Sequence, residues 1–143
     1  MGSLDGRVAI ITGAGRGIGR EHALFFAAEG AKVVVNDLGG ANDGTGADLT
    51  PAQQVAEEIR AMGGEAVVNG DNVADWQGAQ RMVNQAVETF GDLDILVNNA
   101  GITRDDLVMR MGIDEWKMVL EVNLFGAFYC TKSVLRPMLK ARA

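Results

Sequence analysis

Cysteine and histidine, the residues most used for disulfides, metal binding and nucleophilic catalysis, are nearly absent from this sequence. Its 143 residues include one cysteine, Cys130, and one histidine, His22. A single cysteine cannot form an internal disulfide, and no cluster of these residues predicts a metal site. Cys130 also lacks a nearby histidine to activate it, so a thiol nucleophile is not expected. His22 is better explained as a packed or surface residue.

Positive charge and long apolar segments are also scarce. Lysine and arginine number 13 against 19 acidic residues, which gives a net charge of −6. This balance makes nucleic acid and anionic membrane surfaces poor partners. Residues 1–7 lack the apolar stretch of a signal peptide, and no apolar run approaches the roughly 18 residues of a membrane span. We therefore expect a cytoplasmic protein that binds neither nucleic acid nor membrane.

Glycine, by contrast, is abundant: 19 of the 143 residues are glycine, well above the usual share of about 7%. Short apolar segments rich in β-branched residues alternate with longer amphipathic segments. The short segments predict strands buried on both faces, at residues 8–12, 32–36, 66–69 and 94–98. The long segments predict helices, the clearest at about residues 50–62 and 75–90.

This alternation predicts an α/β fold, a doubly wound, Rossmann-like parallel sheet with helices on both faces. We expect about four strands in the order 3-2-1-4 within one domain covering residues 1–143. After the fourth strand, Asp114 is expected to cap one helix, and a second helix is expected from about residue 123 to 142. Residues 38–50, rich in Gly, Asp and Asn, are predicted to form a surface loop beside the site.

A glycine-rich segment joins the first predicted strand to the helix that follows it. Such a turn lets the backbone approach a pyrophosphate, and the helix N-terminus directs its amides at the anion. The spacing departs from the general G-x-G-x-x-G pattern, because Ile18 occupies the place of the last glycine. A dinucleotide site is one interpretation and a purely structural turn is another. The segment comprises Thr12, Gly13, Ala14, Gly15, Arg16, Gly17, Ile18 and Gly19.

Asp37 ends the second predicted strand, about 20 residues after Gly17, where an acidic side chain can accept hydrogen bonds from the ribose hydroxyls of NAD. It would also repel the 2′-phosphate of NADP, whereas Arg16 could pair with that phosphate. We expect Asp37 to prevail, because it lies where the 2′-oxygen would be. The alternative is a solvated carboxylate at the end of a strand.

The glycine turn and three further motifs, in this order along the chain, resemble the short-chain dehydrogenase/reductase family. The turn resembles that family's T-G-x-x-x-G-x-G, and Asp71-Asn72-Val73 is similar to its adenine-edge contact. Asn98-Asn99-Ala100-Gly101 resembles the segment that lines the nicotinamide end of the family's site. Asn123 matches the asparagine of the family's Asn-Ser-Tyr-Lys tetrad. The resemblance covers the entire chain.

The resemblance implies a dinucleotide cofactor, for which we expect NAD, with NADP less favoured. Asn123 is then the one catalytic residue of the tetrad present. No metal ligand is expected. The residues implied in cofactor binding are Thr12, Gly13, Gly15, Arg16, Gly17, Ile18, Gly19, Asp37, Asp71, Asn72, Val73, Asn99, Ala100 and Gly101.

The family's other catalytic residues would lie beyond Ala143, since its Ser follows the fifth strand and its Tyr-x-x-x-Lys pair the next helix. In the family the Tyr is the general acid/base, the Lys lowers the Tyr pKa and holds the nicotinamide ribose, and the Ser polarises the carbonyl. We therefore expect a truncated domain with weakened NAD binding and no dehydrogenase activity alone.

Other side chains in the chain do not replace these groups. Tyr129 and Lys132 share a helix face, but Ser133 stands where a lysine would complete Tyr-x-x-x-Lys. Tyr129 is expected to be a packing residue. Trp76 and Trp116 are likewise expected at core or helix-packing positions.

The resemblance divides between two subfamilies. Residues 36–40 resemble the (3R)-hydroxyacyl-CoA dehydrogenase domains of peroxisomal multifunctional enzymes, whereas residues 102–111 resemble 3-oxoacyl-(acyl carrier protein) reductases. Natural drift and deliberate splicing are both compatible with this mixture. Both subfamilies act on acyl thioesters, which implies that substrate class for the parent enzyme.

Stopping at residue 143 would leave the fourth strand as an open apolar edge and the last helix partly uncovered, which predicts a homo-oligomer through the strand edge, the helix or both. Three hypotheses follow. The chain is an NAD-binding half-domain without activity, a half-enzyme that needs a separately supplied partner, or an assembly fragment with a vestigial nucleotide site.

Overall fold

The computed structural model describes residues 2–39 and 49–141. Most of the predicted loop, residues 40–48, lies outside the described residues. Strands and helices alternate up to the fourth strand, as predicted. The elements are β1 (Val8–Ile11), α1 (Gly17–Ala28), β2 (Lys32–Asn36), α2 (Thr50–Ala61), β3 (Glu65–Asn69), α3 (Trp76–Phe90), β4 (Ile95–Val97), α4 (Ile113–Leu120), a π-helical turn (Glu121–Phe125) and α5 (Gly126–Ala141).

The four strands form one parallel sheet in the order β3-β2-β1-β4, which confirms the predicted topology. At the centre of the sheet, Ile10 on β1 is opposite Val34 on β2 and Leu96 on β4. The chain therefore continues to opposite sides of β1, first to β2 and later to β4. In such sheets ligands bind at the carboxyl ends of the strands, at this point of reversal.

Alternation along the strands divides the core into two layers. On one face, Ile11, Val33 and Val35 pack with α1 and α2. On the other face, Val8, Ile10 and Val34 pack with α3 and α5. All but Val8 are 0% exposed, because helices cover both faces of the central strands. This explains why the strand segments are almost continuously apolar.

The helix after β4 differs from the prediction. Two separate helices were expected, one capped by Asp114, but a single helix runs from Ile113 to Ala141. No glycine or proline interrupts residues 113–125, so nothing in the local sequence ends the helix. The cap was also wrong: Gly112 is the N-cap, without a side-chain bond, and Asp114 lies in the first turn. There its negative charge interacts favourably with the positive, N-terminal end of the helix dipole.

The long helix carries apolar surface that the described residues leave open. Its 18-residue window of highest mean hydropathy, 1.2, is 17% buried. By length and composition this helix could cross a membrane, a test that core helices of soluble proteins also pass. Strand β4 pairs only with β1 among the described residues, so its other edge is open, as predicted. The exposed apolar side chains of the helix include Ile113, Trp116, Leu124, Phe125, Phe128, Leu135 and Leu139.

Candidate functional site

A cleft of about 600 Å³ opens at the carboxyl ends of the strands. This volume is within the range of small-molecule and cofactor sites. Its wall combines the glycine turn, the ends of β2, β3 and β4, and one side of the long helix. The lining residues are Gly13, Arg16, Gly17, Ile18, Asn36, Asp37, Leu38, Asp71, Asn72, Val73, Ala74, Asn99, Ala100, Gly101, Ile102, Met118, Glu121 and Val122.

The glycine turn is shaped for close backbone approach. Gly13 has a φ of 65°, and a Cβ there would lie 2.9 Å from the Cα of Ala100. A Cβ at Gly19 would collide with the carbonyl oxygen of Gly13 and the amide nitrogen of Asn99. Gly17, with a φ of 58°, faces open space. Glycine is therefore required at these positions, as the motif predicts.

The N-terminus of α1 opens beside this turn without a side-chain cap. Arg16 is the N-cap residue and makes no capping hydrogen bond, and the first turn contains no acidic residue. The first amides of a helix lack partners within the helix and form its positive end. With the Arg16 guanidinium beside them, these amides suit an anionic group such as a pyrophosphate.

The Thr12 hydroxyl ties the turn to the segment after β4. Its Oγ1 accepts hydrogen bonds from the backbone N–H groups of Asn99 at 3.0 Å and Ala100 at 2.9 Å. The Asn99 amide in turn donates to the Gly13 carbonyl at 3.1 Å. Two walls of the cleft are thus held together by side-chain to backbone bonds. Thr12 itself is buried, so its hydroxyl serves the scaffold.

Asp37 holds the other side of the turn. Its Oδ2 accepts the Gly15 N–H at 2.7 Å, and its Oδ1 accepts the Gly39 N–H at 2.6 Å. Each carboxylate oxygen keeps further acceptor capacity, and the residue lines the cleft. The carboxylate is therefore fixed at the end of β2, with acceptor sites left for a polar ligand.

Asp71 is fixed in a similar way at the end of β3. Its Oδ1 accepts from Arg81 Nε and its Oδ2 from Asn69 Nδ2, each at 2.9 Å. The hydrogen bond and the negative charge of Asp71 raise the pKa of Arg81, which keeps the guanidinium charged. Val73, two residues later, is buried and also lines the cleft.

Asn123 lies in the π-helical turn, a feature that often marks functional sites. Its Nδ2 donates to the Ile102 carbonyl at 3.0 Å, and its Oδ1 accepts the Ile102 N–H at 2.9 Å. The amide thus fastens the helix to the loop after β4. Its neighbour Val122 lines the cleft, whereas Asn123 does not.

Most of the predicted cofactor-binding residues lie together on the wall of this cleft. Three do not. Thr12 and Gly19 lie behind the turn, where they shape it, and Gly15 lines a smaller adjacent depression with Arg16, Arg20 and Gln54. The roles of individual residues toward a cofactor stay predictions.

The residues discounted as catalysts lie away from the cleft. Tyr129 packs its ring against Trp76 at 5.7 Å between centroids, as expected for two packing residues. Cys130 is buried, and burial raises the pKa of its thiol to about 11. His22 is exposed, in agreement with a surface position. Trp116 does not pack as expected, because 57% of it is exposed.

Sequence reasoning missed several lining residues. Of these residues, Asn36 alone carries a local signal, because it is a polar residue at the end of an apolar strand, directly before Asp37. Met118, Glu121 and Val122 reach the cleft only because the long helix crosses it, which no local pattern indicates. Among the described residues, no group of His, Cys, Asp or Glu could hold a metal ion.

Comparison with known proteins agrees with this geometry. A family model described as short chain dehydrogenase matches residues 7–143. Peroxisomal multifunctional enzyme type 2 of Drosophila melanogaster is 51% identical over 136 residues, which cover 95% of this chain and 22% of that protein. The 3-oxoacyl-[acyl-carrier-protein] reductase of Synechocystis sp. is 45% identical, over 100% of this chain and 55% of that protein.

Two solved structures are also similar. A short chain dehydrogenase from Mycobacterium avium superimposes with a TM-score of 0.89 at 51% identity, covering 99% of this chain and 51% of that one. A 7α-hydroxysteroid dehydrogenase complexed with NADH and 7-oxo glycochenodeoxycholic acid gives a TM-score of 0.86 at 36% identity, covering 96% of this chain and 50% of that one. The chain spans about half the length of these two structures and 22% of the length of the Drosophila enzyme. It belongs to the short chain dehydrogenase family.

Proposed function

We propose that this chain is the NAD(H)-binding part of a short chain dehydrogenase. The observation that supports this most directly is the uncapped N-terminus of α1 beside a glycine turn, in one cleft with Asp37. The turn has room for a pyrophosphate beside Gly17, which faces open space, while Gly13 and Gly19 pack tightly against residues 99–100 and the turn itself. The neighbour solved with NADH supports the same cofactor class.

Each part of the cofactor has residues suited to hold it. The α1 amides and Arg16 would bind the pyrophosphate, and Asp37 would accept hydrogen bonds from the adenosine ribose. Asp71 and Val73 would hold the adenine edge, and residues 99–101 the nicotinamide end. When bound, the cofactor supplies or accepts a hydride.

NAD is favoured over NADP because of Asp37. Its carboxylate is fixed by two backbone N–H groups and cannot turn away from a 2′-phosphate without losing both bonds. Arg16 is exposed and makes no capping bond, so it is the residue that could offset this repulsion. We assign the greater weight to Asp37, since a fixed charge interacts more strongly than one on a flexible, solvated side chain.

Catalysis by the whole protein is a hydroxyl/carbonyl oxidoreduction, with an acyl thioester as the proposed substrate class. The name of one relative, a 3-oxoacyl-[acyl-carrier-protein] reductase, supports this choice. The chain alone is proposed to be inactive, since its Tyr129 packs against Trp76 and Phe128 instead of facing the cleft. Asn123 acts as a positioning residue, through its two bonds to Ile102.

Calorimetric titration with NAD and NADP tests the cofactor assignment. We expect saturable NAD binding, weakened to the high-micromolar range, and weaker NADP binding. Asp37→Ala removes at least one charge-assisted hydrogen bond of about 1.5–3 kcal/mol, so NAD affinity should fall about tenfold or more. Glu88→Ala removes an exposed charge on α3 outside the cleft and should leave both affinities unchanged. The absence of NAD binding at millimolar concentration would refute the proposal.

An assembly role is the second candidate, favoured by the exposed apolar residues Leu124, Phe128, Leu135 and Leu139 and by the open edge of β4. A second copy is proposed to cover them. Light scattering at micromolar concentration should show a dimer or larger species, and a monodisperse monomer would exclude this role. A half-enzyme would instead regain NAD-linked activity when mixed with the remaining segment of a relative.

A further inference from the structure

A network of buried amide side chains lies behind the Asp71 carboxylate. Asn36 ends β2 and Asn69 ends β3, and the two residues are opposite each other in the sheet. They are 2% and 5% exposed, and Asn36 Nδ2 donates to Asn69 Oδ1 at 2.7 Å. Burying amides in an apolar sheet costs free energy unless their polar atoms are hydrogen-bonded. The presence of two such residues at one point of the sheet raises the question of what their hydrogen bonds hold in place.

Asn69 makes four hydrogen bonds, which fix its orientation. Its Nδ2 donates to Asp71 Oδ2 at 2.9 Å and to Gln85 Oε1 at 2.8 Å. Its Oδ1 accepts from Asn36 Nδ2 and from the Asp71 backbone N–H at 3.0 Å. Both donors and both acceptor sites are therefore used. Turning the amide over would set donors against donors, so Asn69 can only offer Asp71 an N–H.

Helix α3 supplies the rest of the network from two positions one turn apart. Gln85 is held by its Nε2 donating to the Val68 carbonyl at 3.0 Å, which leaves its Oε1 directed at Asn69. Arg81 contacts Asp71 Oδ1 through both Nε and Nη2 at 2.9 Å. The Asp71 carboxylate is thus held at one oxygen by an amide and at the other by a guanidinium.

The Asp71 carboxylate belongs to the wall of the cleft that Val73 and Asp37 also line. Hydrogen bonds on both oxygens restrict its rotation, while Oδ2, which accepts only from Asn69 among the described residues, keeps a free acceptor site. An acceptor fixed in direction selects a donor over an acceptor on the facing ligand atom. Adenine presents an exocyclic amine, a donor, whereas hypoxanthine presents a carbonyl oxygen in the same place.

We propose that Arg81, Asn69 and Gln85 are positioning residues that fix Asp71 as the acceptor for the exocyclic amine of the cofactor's base. The network then gives the site its preference for an adenine over a 6-oxopurine dinucleotide. This inference rests on the proposed NAD binding. The two proposals can be tested separately, because this inference concerns the ratio of two affinities, whereas the proposed function concerns whether NAD binds at all.

The test compares NAD with nicotinamide hypoxanthine dinucleotide by calorimetry. We expect the unmodified chain to bind NAD at least about tenfold more tightly than the analogue. The adenine amine gains one charge-assisted hydrogen bond to Asp71, whereas the hypoxanthine oxygen is repelled by the carboxylate. Arg81→Met should reduce that ratio to about threefold or less, chiefly by weakening NAD. Arg81 is exposed on α3, so its replacement should not prevent folding. Gln85→Met leaves one N–H of Asn69 without an acceptor, which loosens the amide that holds Asp71 Oδ2, and should reduce the ratio as well.

Arg136→Met is the matched control, since it removes the same charge from an exposed position on α5 and should keep the ratio. A purely structural network predicts that Arg81→Met weakens both dinucleotides equally, which would overturn the inference. An unmodified chain that binds both equally would overturn it and leave NAD binding standing. An unmodified chain that binds neither would overturn the proposed function, and this inference with it.

Discussion

Replacing Thr12 by valine tests whether the hydroxyl, and not the shape of the side chain, joins the glycine turn to the segment after β4. Valine keeps the branched shape and loses the oxygen. Asn99 N–H retains a second acceptor, the Val97 carbonyl at 3.0 Å. Ala100 N–H would lose its acceptor, Thr12 Oγ1. In all, the variant removes three hydrogen bonds of Thr12 Oγ1, with the Val97 carbonyl and the N–H groups of Asn99 and Ala100, and each such bond contributes about 0.5–1.5 kcal/mol.

We therefore expect Thr12→Val to lower the free energy of unfolding by about 2 kcal/mol. For a chain of this size that corresponds to a melting temperature lower by roughly 4–8 °C. Urea unfolding followed by circular dichroism, at one fixed protein concentration, measures the change. NAD affinity should fall in the same variant, because Gly13 and Ala100 would no longer be held in register.

Thr12→Ser supplies the comparison, since it keeps the hydroxyl and deletes one buried methyl group. That deletion costs about 1 kcal/mol. If the hydroxyl matters, the native chain is the most stable, Thr12→Ser is intermediate and Thr12→Val is the least stable. If only packing matters, valine is as stable as the native chain and serine is the less stable variant. The second order would refute the reasoning.

Three further predictions concern other parts of the chain. Gly19→Ala would place a Cβ against the Gly13 carbonyl and the side-chain amide of Asn99; calorimetry should show at least a tenfold loss of NAD affinity. Gly112→Ala, whose Cβ would meet nothing closer than Glu115 at 4.0 Å, should bind normally. Because burial raises the pKa of Cys130 from 9.0 to about 11, its stabilising contribution is present below pH 9 and lost as the pH rises through 11. The unfolding free energy of the native chain relative to Cys130→Ala should therefore decline over that range, and a constant difference would contradict the assigned cause. Leu139→Lys, at a position 71% exposed on α5, should reduce the mass measured by light scattering if this face is self-associating; an unchanged mass would assign the association to another surface.

The sheet and the cleft could be predicted from the sequence, because the local pattern of each segment agrees with its place in the fold. Continuous apolar segments such as residues 32–36 predict strands buried on both faces, and the glycine turn and Asp37 come at strand ends. The single helix from Ile113 to Ala141 was not accessible. Asp114 has the composition of a cap, but Gly112 begins the helix, and the shift in register at Glu121–Phe125 leaves no mark in residue type.

The network behind Asp71 was inaccessible for a different reason. Asn69 and Gln85 carry no local signal, and their meeting with Asn36 depends on strand register and on one face of α3. Pairing of β2 with β3 places the two asparagines opposite each other, and only then do their amides complete each other's hydrogen bonds. Long-range contacts of this kind are set by the sheet, not by local propensity.

The cleft is shaped by bonds within the chain: Thr12 to residues 99 and 100, Asp37 to Gly15, and Asn69 to Asp71. All of them lie on β1–β4 or the segments that follow these strands. The end of the cleft proposed to hold the adenosine and pyrophosphate is thus preorganised by these bonds, which lowers the ordering cost of binding. The end proposed for the nicotinamide is different, because it borders residues 118–122 on a helix whose apolar face is open among the described residues. An open face should hold this side of the cleft less firmly, so contacts to the nicotinamide should contribute little and ADP-ribose should bind nearly as tightly as NAD.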